Sequence, residues 1–99
     1  MKHSIMPWLS VHDGAAAVEF YKSAFRATEV YHLEDPDGNV VSRLSVGGAE
    51  FWLADESPEH QNLSPESRGV SVRMILTVPD PDGMMSRAVY AGARQGVAV

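Results

Sequence analysis

Two short segments of this chain match each other, and an internal repeat constrains the architecture more than any single residue does. LSVHD occupies residues 9–13 and LTVPD occupies residues 76–80, and each is followed by a stretch that contains alanines at helical spacing. Residues 25–27 (FRA) then stand where residues 91–93 (AGA) stand in the second copy. The repeat predicts two β-α units on either side of a polar linker, related by duplication.

The first half of the chain is predicted as β-α-β-β-β. Residues 6–11 alternate in polarity with the period of a strand, and apolar residues from 15 to 25 recur at the spacing of a helix. Residues 28–33 and 40–46 are rich in β-branched and aromatic residues and flank the turn sequence DPDG, which predicts an antiparallel hairpin. Residues 49–54 follow a Gly-Gly pair and continue the sheet.

The second half is predicted as β-α-β after a polar linker. Val72–Val78 alternates like a strand, and Asp80-Pro81 places a capping carboxylate and a proline where a helix starts. Val97–Val99 resembles the start of another strand. We therefore expect an α+β fold in one structural domain, with a first module over 1–54, a polar linker over 55–70 and the start of a second module over 71–99.

The overall charge and composition exclude several classes of protein. The net charge is −5, with 13 acidic and 8 basic residues, so the chain lacks the basic face that nucleic acid requires. It has no cysteine, and therefore no disulfide or thiolate metal site. No apolar run is long enough to span a membrane, and the amino terminus has no signal-peptide core. We expect a cytoplasmic protein without nucleic-acid or membrane partners.

A series of motifs over Pro7–Ala93 carries a family resemblance: PWLSV, AAAVEFYKSAF, DPDG, VGGAEFWLADESPEH, LSPES, SVRMILTVPDPD and AVYAGA. In order and spacing they resemble the PhnB-like branch of the glyoxalase/bleomycin-resistance/dioxygenase superfamily, the vicinal-oxygen-chelate fold. The resemblance implies paired βαβββ modules whose curved sheets carry their helices on the convex side. The concave sides then enclose a cavity for a small ligand, a metal or both, commonly in a homodimer.

Two departures from the family pattern have structural consequences. Arg26 stands after the phenylalanine that ends the first helix, where members usually have glycine, so the helix must end in a costlier conformation or with a different cap. Members of the family also continue for three more strands that this sequence does not contain, and a sheet that ends at Val99 has an open edge. We expect further residues or a partner chain to complete the sheet.

The metal-ligand positions implied by the resemblance carry unsuitable side chains. They fall at Met6, Trp52 and Arg73, and none of these supplies the histidine or carboxylate that such sites use. A guanidinium also stays protonated and repels a cation. We expect no metal or other cofactor; a divalent metal held by the missing strands or by a partner chain is the alternative.

Glu50 is the one weak catalytic candidate. It lies two residues from Trp52, on the same strand face and about 6–7 Å along the strand. One interpretation places it near the cavity rim or solvent, paired with an arginine; the other makes it a general base or substrate contact opposite Arg73. His12 and Asp13 are adjacent, so they point to opposite sides and do not form a catalytic pair.

The remaining side chains predicted on the concave face describe a ligand pocket. They are two tryptophans, a pair of hydroxyls, one cation and one aliphatic residue: Trp8, Ser10, Trp52, Arg73, Ile75 and Thr77. Such a set suits a flat or amphipathic small molecule with an anionic group. Alternatively, the tryptophans fill the sheet concavity or a dimer seam.

We therefore expect a metal-independent small-molecule-binding protein that acts by sequestration or recognition. The alternatives are a metal-dependent lyase, isomerase or dioxygenase of the same superfamily, and an interaction module.

Overall fold

The computed structural model describes residues 3–57 and 74–94, which form four strands and two helices. In chain order they are β1 (Trp8–Val11), α1 (Gly14–Phe25), β2 (Thr28–Glu34), β3 (Val40–Val46), β4 (Ala49–Asp55) and α2 (Pro81–Tyr90). The β-α-β-β-β order predicted for the first half is confirmed, and the described chain is a small α+β fold. Neither α1, with 12 residues, nor α2, with 10, is long enough to cross a membrane.

The four strands form one mixed sheet in the order β1-β4-β3-β2. β1 runs parallel to β4, and the other neighbours are antiparallel. The predicted hairpin is present, and its DPDG turn closes with Gly38 at φ 86° and a 3.0 Å hydrogen bond from the Gly38 N–H to the Asp35 carbonyl. The parallel pair is possible because α1 carries the chain across the sheet between β1 and β2.

The core lies between α1 and one face of the sheet. Val18 of α1 packs there with Val40, Leu44 and Leu53 from the two central strands, and all four are at most 4% exposed. Leu9 and Val11 of β1 pack against the same cluster. Burying side chains of this size stabilises the fold by roughly 1.5–3 kcal/mol each.

The helix ends follow the sequence predictions. The Asp13 carboxylate accepts from the Ala16 N–H at 3.1 Å, and Asp80 accepts from the Gly83 N–H at the same distance with Pro81 beside it. Arg26 ends α1 in the left-handed conformation, at φ 55° and ψ 36°. The costlier helix stop expected from the missing glycine is therefore what the structure shows.

The Asp55 side chain connects three elements, and the position of Asp55 within β4 corrects one predicted boundary. Its carboxylate accepts from the Gly14 N–H at 2.8 Å and from the Val40 N–H at 2.7 Å, which joins the end of β4 to the starts of α1 and β3. A Cβ at Gly14 would lie 2.7 Å from the same carboxylate, so this position needs glycine. The predicted linker began at residue 55, but Asp55 belongs to β4 and the Glu56 N–H still bonds to Val11 at 2.7 Å.

The strand predicted over Val72–Val78 is wrong for its described part. Residues 74–78 have no strand structure and pair with no described strand, although the side chains of Val72–Val78 were predicted to alternate between two faces. Alternation predicts which face of a strand would be buried, but a strand forms only where a neighbour supplies its hydrogen bonds. Residues 58–70 of the predicted linker, Arg73 and the predicted strand at Val97–Val99 lie outside the described residues.

Candidate functional site

The candidate site is the sheet face that α1 does not cover, which we call the open face. Residues on each strand alternate between the two faces, so the open face receives Trp8 from β1, Trp52 from β4, Arg43 from β3 and Tyr31 from β2. The strand register places these four residues in a line across the sheet. Trp8 pairs with Trp52, Trp52 pairs with Arg43, and Arg43 pairs with Tyr31. We call them the cross-strand row; at about 4.8 Å per strand it spans roughly 14 Å.

The aromatic rings of the cross-strand row contact one another. The Trp8 and Trp52 ring centroids are 6.0 Å apart with an interplanar angle of 23°, and Tyr31 meets Trp52 edge-on at 5.6 Å. Trp8 is 49% exposed and Tyr31 46% exposed. The row is therefore an apolar platform whose two ends are open to solvent.

Arg43 and Glu50 provide the polar part of the platform. The Arg43 guanidinium carbon lies 5.6 Å from the centroid of the Trp52 ring, a cation–π distance. Its Nε donates to the Glu50 carboxylate, and its Nη2 forms an ion pair with the same oxygen. Glu50 therefore has the arginine partner that one interpretation expected, and its charge is balanced by Arg43 on the open face.

Tyr31 reaches the open face through an irregularity in β2. The register between β2 and β3 shifts between Glu29 and Tyr31, as in a β-bulge. Before the shift Glu29 faces the helix side of the sheet, and after it Tyr31 pairs with Arg43 on the open face. Simple alternation along the strand does not predict a bulge, which is why the sequence reasoning did not select Tyr31.

The structure brings together only part of the predicted site. Trp8 and Trp52 are in contact, and Ser10 follows Trp8 on the same face, paired in register with Ala54. Ile75 and Thr77 do not lie on the open face, because their segment is not a strand of the sheet; they line a separate cleft beside α2. Arg73 lies outside the described residues.

The residues at the metal positions that the sequence resemblance implies do not suit a metal. Met6 and Trp52 offer no histidine or carboxylate, and Glu50 beside them is held by Arg43. Within residues 3–57 and 74–94, no three histidine or acidic side chains are grouped as metal ligands. His12 is exposed and contacts Glu56 at 3.2 Å, whereas Asp13 caps α1, so these neighbours do not form a pair.

A second polar cluster lies on the helix side of the sheet. The buried Ser42 hydroxyl donates to Glu29 at 2.7 Å, and His32 Nδ1 lies 2.7 Å from the same carboxylate oxygen. Burial acts to raise the pKa of Glu29, but the Ser42 and His32 hydrogen bonds and the charges of His32 and Lys22 outweigh it and lower the pKa. The hydrogen bond to Glu29 raises the pKa of His32. The cluster stabilises β2 and is not part of the open face.

Comparison with known proteins finds relatives that are themselves uncharacterised. No family model matches the chain. Uncharacterised proteins of Mycobacterium bovis and Mycobacterium tuberculosis are each 36% identical over 95 residues, which cover 91% of this chain and 62% and 56% of the relatives. An uncharacterised Arabidopsis thaliana protein is 33% identical over 85 residues, 78% of this chain and 51% of the relative. The chain thus spans roughly half to three-fifths of the length of these curated relatives.

One solved structure is similar over the whole chain. It is the X-ray structure of an Arabidopsis thaliana gene product, with a TM-score of 0.77 and 29% sequence identity. The match covers 100% of this chain and 79% of that chain. The arrangement of strands and helices described above therefore has a counterpart in a protein seen by crystallography.

Proposed function

We propose that this chain forms part of a small-molecule-binding protein of the glyoxalase/bleomycin-resistance superfamily, and that its ligand binds on the open face without a metal. The cross-strand row is the observation that carries the proposal. The β-α-β-β-β unit with a parallel β1–β4 pair supports the superfamily, since it agrees with the module that the sequence motifs imply. A cytoplasmic homodimer is part of the same proposal.

The geometry of the row favours a planar ligand. Trp8 and Trp52 are within 23° of parallel, and Trp8 keeps about half of its surface open to solvent. A flat molecule placed on this surface gains stacking and removes apolar area from water at both ends of the row. The Arg43–Glu50 pair offers polar groups beside the rings, which suits a ligand with a polar edge.

The same geometry favours binding over proton transfer. A general base must present a carboxylate to the substrate, but the Glu50 oxygen that faces Arg43 already accepts from its guanidinium. We therefore assign Glu50 the role of fixing Arg43 over Trp52.

Tryptophan fluorescence tests the proposal, because the chain has two tryptophans and both are in the row. Titration with a panel of planar aromatic acids, amides and heterocycles should give a saturable change in emission for at least one compound. Trp52→Leu, followed by calorimetry for the same compound, should weaken binding at least tenfold, and Trp8→Leu should weaken it less. Tyr90→Ala, which removes an aromatic residue that is 95% exposed on α2, is the matched control and should bind normally.

Three results would contradict the proposal. The first is that Trp52→Leu and Trp8→Leu both bind the compound as the wild type does while circular dichroism shows them folded. The second is that no compound of the panel gives a response. The third is stoichiometric zinc, nickel, iron or manganese in the purified protein, which would favour the metal-dependent lyase, isomerase or dioxygenase.

A further inference from the structure

A second cleft lies where the end of α1, the β3–β4 turn and the start of α2 meet. Its volume is about 890 Å³, and no residue of the cross-strand row lines it. Apolar side chains form much of its wall, including Val46, Leu76 and Met84. Ile75, which is 90% exposed, lines it as well. The cleft is large enough for a small organic molecule and presents apolar surface that water now covers.

Two arginines that have no carboxylate partner among residues 3–57 and 74–94 line this cleft. The basic side chains of the described residues are Lys22, Arg26, Arg43, Arg87 and Arg94. Lys22 pairs with Glu19 and Glu29, and Arg43 pairs with Glu50. Arg26 and Arg87 form no ion pair within residues 3–57 and 74–94, and both line the cleft. In a chain of net charge −5, this places two positive charges beside one apolar surface, against the single carboxylate of Asp80 in the same lining.

Arg87 is oriented by a single hydrogen bond. Its Nε donates to the Ser23 carbonyl of α1 at 3.1 Å. The bond fixes the guanidinium between α1 and α2 and leaves its two Nη groups available as donors. Asp80 also lines the cleft, but its carboxylate is engaged by the Gly83 N–H at the start of α2.

Arg26 has a left-handed backbone conformation, which glycine adopts at a lower free-energy cost than arginine does. At φ 55° it is the non-glycine residue with positive φ in the described chain, and the left-handed conformation costs an L-residue roughly 1–2 kcal/mol. Strained positions of this kind are retained where the side chain contributes something that glycine cannot. Here the residue is an arginine that lines the cleft.

We propose that this cleft binds an amphipathic carboxylate, with its carboxylate on Arg26 and Arg87 and its hydrocarbon part on Leu76, Ile75 and Met84. The charge pairing supplies the selectivity for an anion, and the apolar wall supplies affinity that grows with chain length. This site is distinct from the open face and does not depend on the function proposed there.

Binding of octanoate to the intact chain, followed by NMR and calorimetry, tests the proposal. Octanoate should shift the amide signals around residues 26, 46 and 76, whereas octan-1-ol and octylamine at the same concentrations should bind at least tenfold more weakly. Arg26→Gln and Arg87→Gln should each weaken octanoate binding about tenfold, as expected for loss of a charge-assisted hydrogen bond. Arg94→Gln, outside the cleft, should bind as the wild type does.

Arg26→Gly separates binding from a purely structural role. The substitution relieves the left-handed strain, so the melting temperature should rise while octanoate affinity falls. If Arg26 had a purely structural role, the melting temperature and the octanoate affinity would change in the same direction. The proposal is overturned if Arg26→Gly and Arg87→Gln bind octanoate normally, or if octan-1-ol binds as tightly as octanoate.

Discussion

At the scale of single residues, Asp55 shows how one carboxylate fixes the relation of three elements. It accepts two backbone N–H groups, one at the start of α1 and one at the start of β3. Gly14 is the first residue of α1, where a backbone N–H has no acceptor within the helix, so this donor depends on an acceptor from elsewhere. The sequence showed an acidic residue after a strand, but not that its partners lie 41 and 15 residues away along the chain.

Asp55→Asn should therefore lower the free energy of unfolding by about 1–3 kcal/mol. The amide keeps one acceptor oxygen but turns an N–H₂ group toward a second N–H donor, which leaves that donor without a partner. Urea denaturation followed by circular dichroism measures the change. Asp37→Asn, at an exposed position of the β2–β3 turn, is the control and should be near neutral; equal stability of Asp55→Asn and wild type would contradict this role.

His32 should make stability depend on pH. Its pKa is raised chiefly by the hydrogen bond to Glu29, above the value of about 6.5 that it has in an unfolded chain. The protonated His32–Glu29 pair therefore contributes fully below about pH 6.5, and this contribution disappears as the pH rises through the folded pKa. Glu29 has a lowered pKa and remains ionised in this range.

The melting temperature of His32→Gln should accordingly be lower than that of the wild type at pH 5.5, and the two should converge by about pH 9. The difference should be small, because the histidine is exposed, and salt should reduce it. His3→Gln, at an exposed position before β1, controls for loss of a histidine. A difference that is constant with pH, or largest at high pH, would contradict the assignment.

Single residues also show the limits of prediction from sequence. The left-handed conformation of Arg26 and an arginine partner for Glu50 were each one of two alternatives that the sequence left open. Arg43 and Tyr31 were missed, because their positions depend on cross-strand register and on a bulge in β2. Register is a relation between strands that no single strand's pattern specifies.

At the scale of elements, local periodicity predicted those whose partners are close in sequence. α1, the β2–β3 hairpin and β4 meet their neighbours within a short stretch of chain, so the pattern of apolar residues was sufficient. The segment 74–78 is rich in the apolar and β-branched residues typical of strands, but no described strand pairs with it. Residues 76–80 resemble residues 9–13 in structure at one point, because Asp13 and Asp80 both cap a helix. They differ in that residues 9–11 form a strand and residues 76–78 do not.

The elements should also differ in local stability. In α2 only Ala88 is buried, and Met85, Val89 and Tyr90 are between 43% and 95% exposed. The central strands, by contrast, contain Leu44 and Leu53 at 0% exposure. Elements with few buried side chains open without global unfolding.

Hydrogen exchange should therefore proceed faster in α2 than in the central strands. Amides in the last two turns of α2 should exchange through local opening, and those of Leu44 and Leu53 should approach the free energy of global unfolding. α1, with Val18 and Ala24 buried, is the internal control for a helix held by the core. Equal protection of α2 and β3 would show that α2 is held more firmly than its burial indicates.

At the scale of the whole molecule, the sheet has one face buried under α1 and one face that carries the cross-strand row. A two-layer fold buries one face of its sheet, and large apolar groups on the other face indicate contact with something else. We propose that the contact is with a planar small molecule. On the open face the charges of Arg43 and Glu50 balance each other. Stacking on the aromatic rings therefore supplies most of the affinity for the ligand.

The indole N–H signals of Trp8 and Trp52 test this account most directly, because the chain contains no other tryptophan. In an NMR titration with a planar compound that binds, we predict that both signals shift, that they saturate with one common dissociation constant, and that Trp52→Leu weakens the response of Trp8 at least tenfold. Saturable binding of such a compound with both indole signals unmoved would contradict the account.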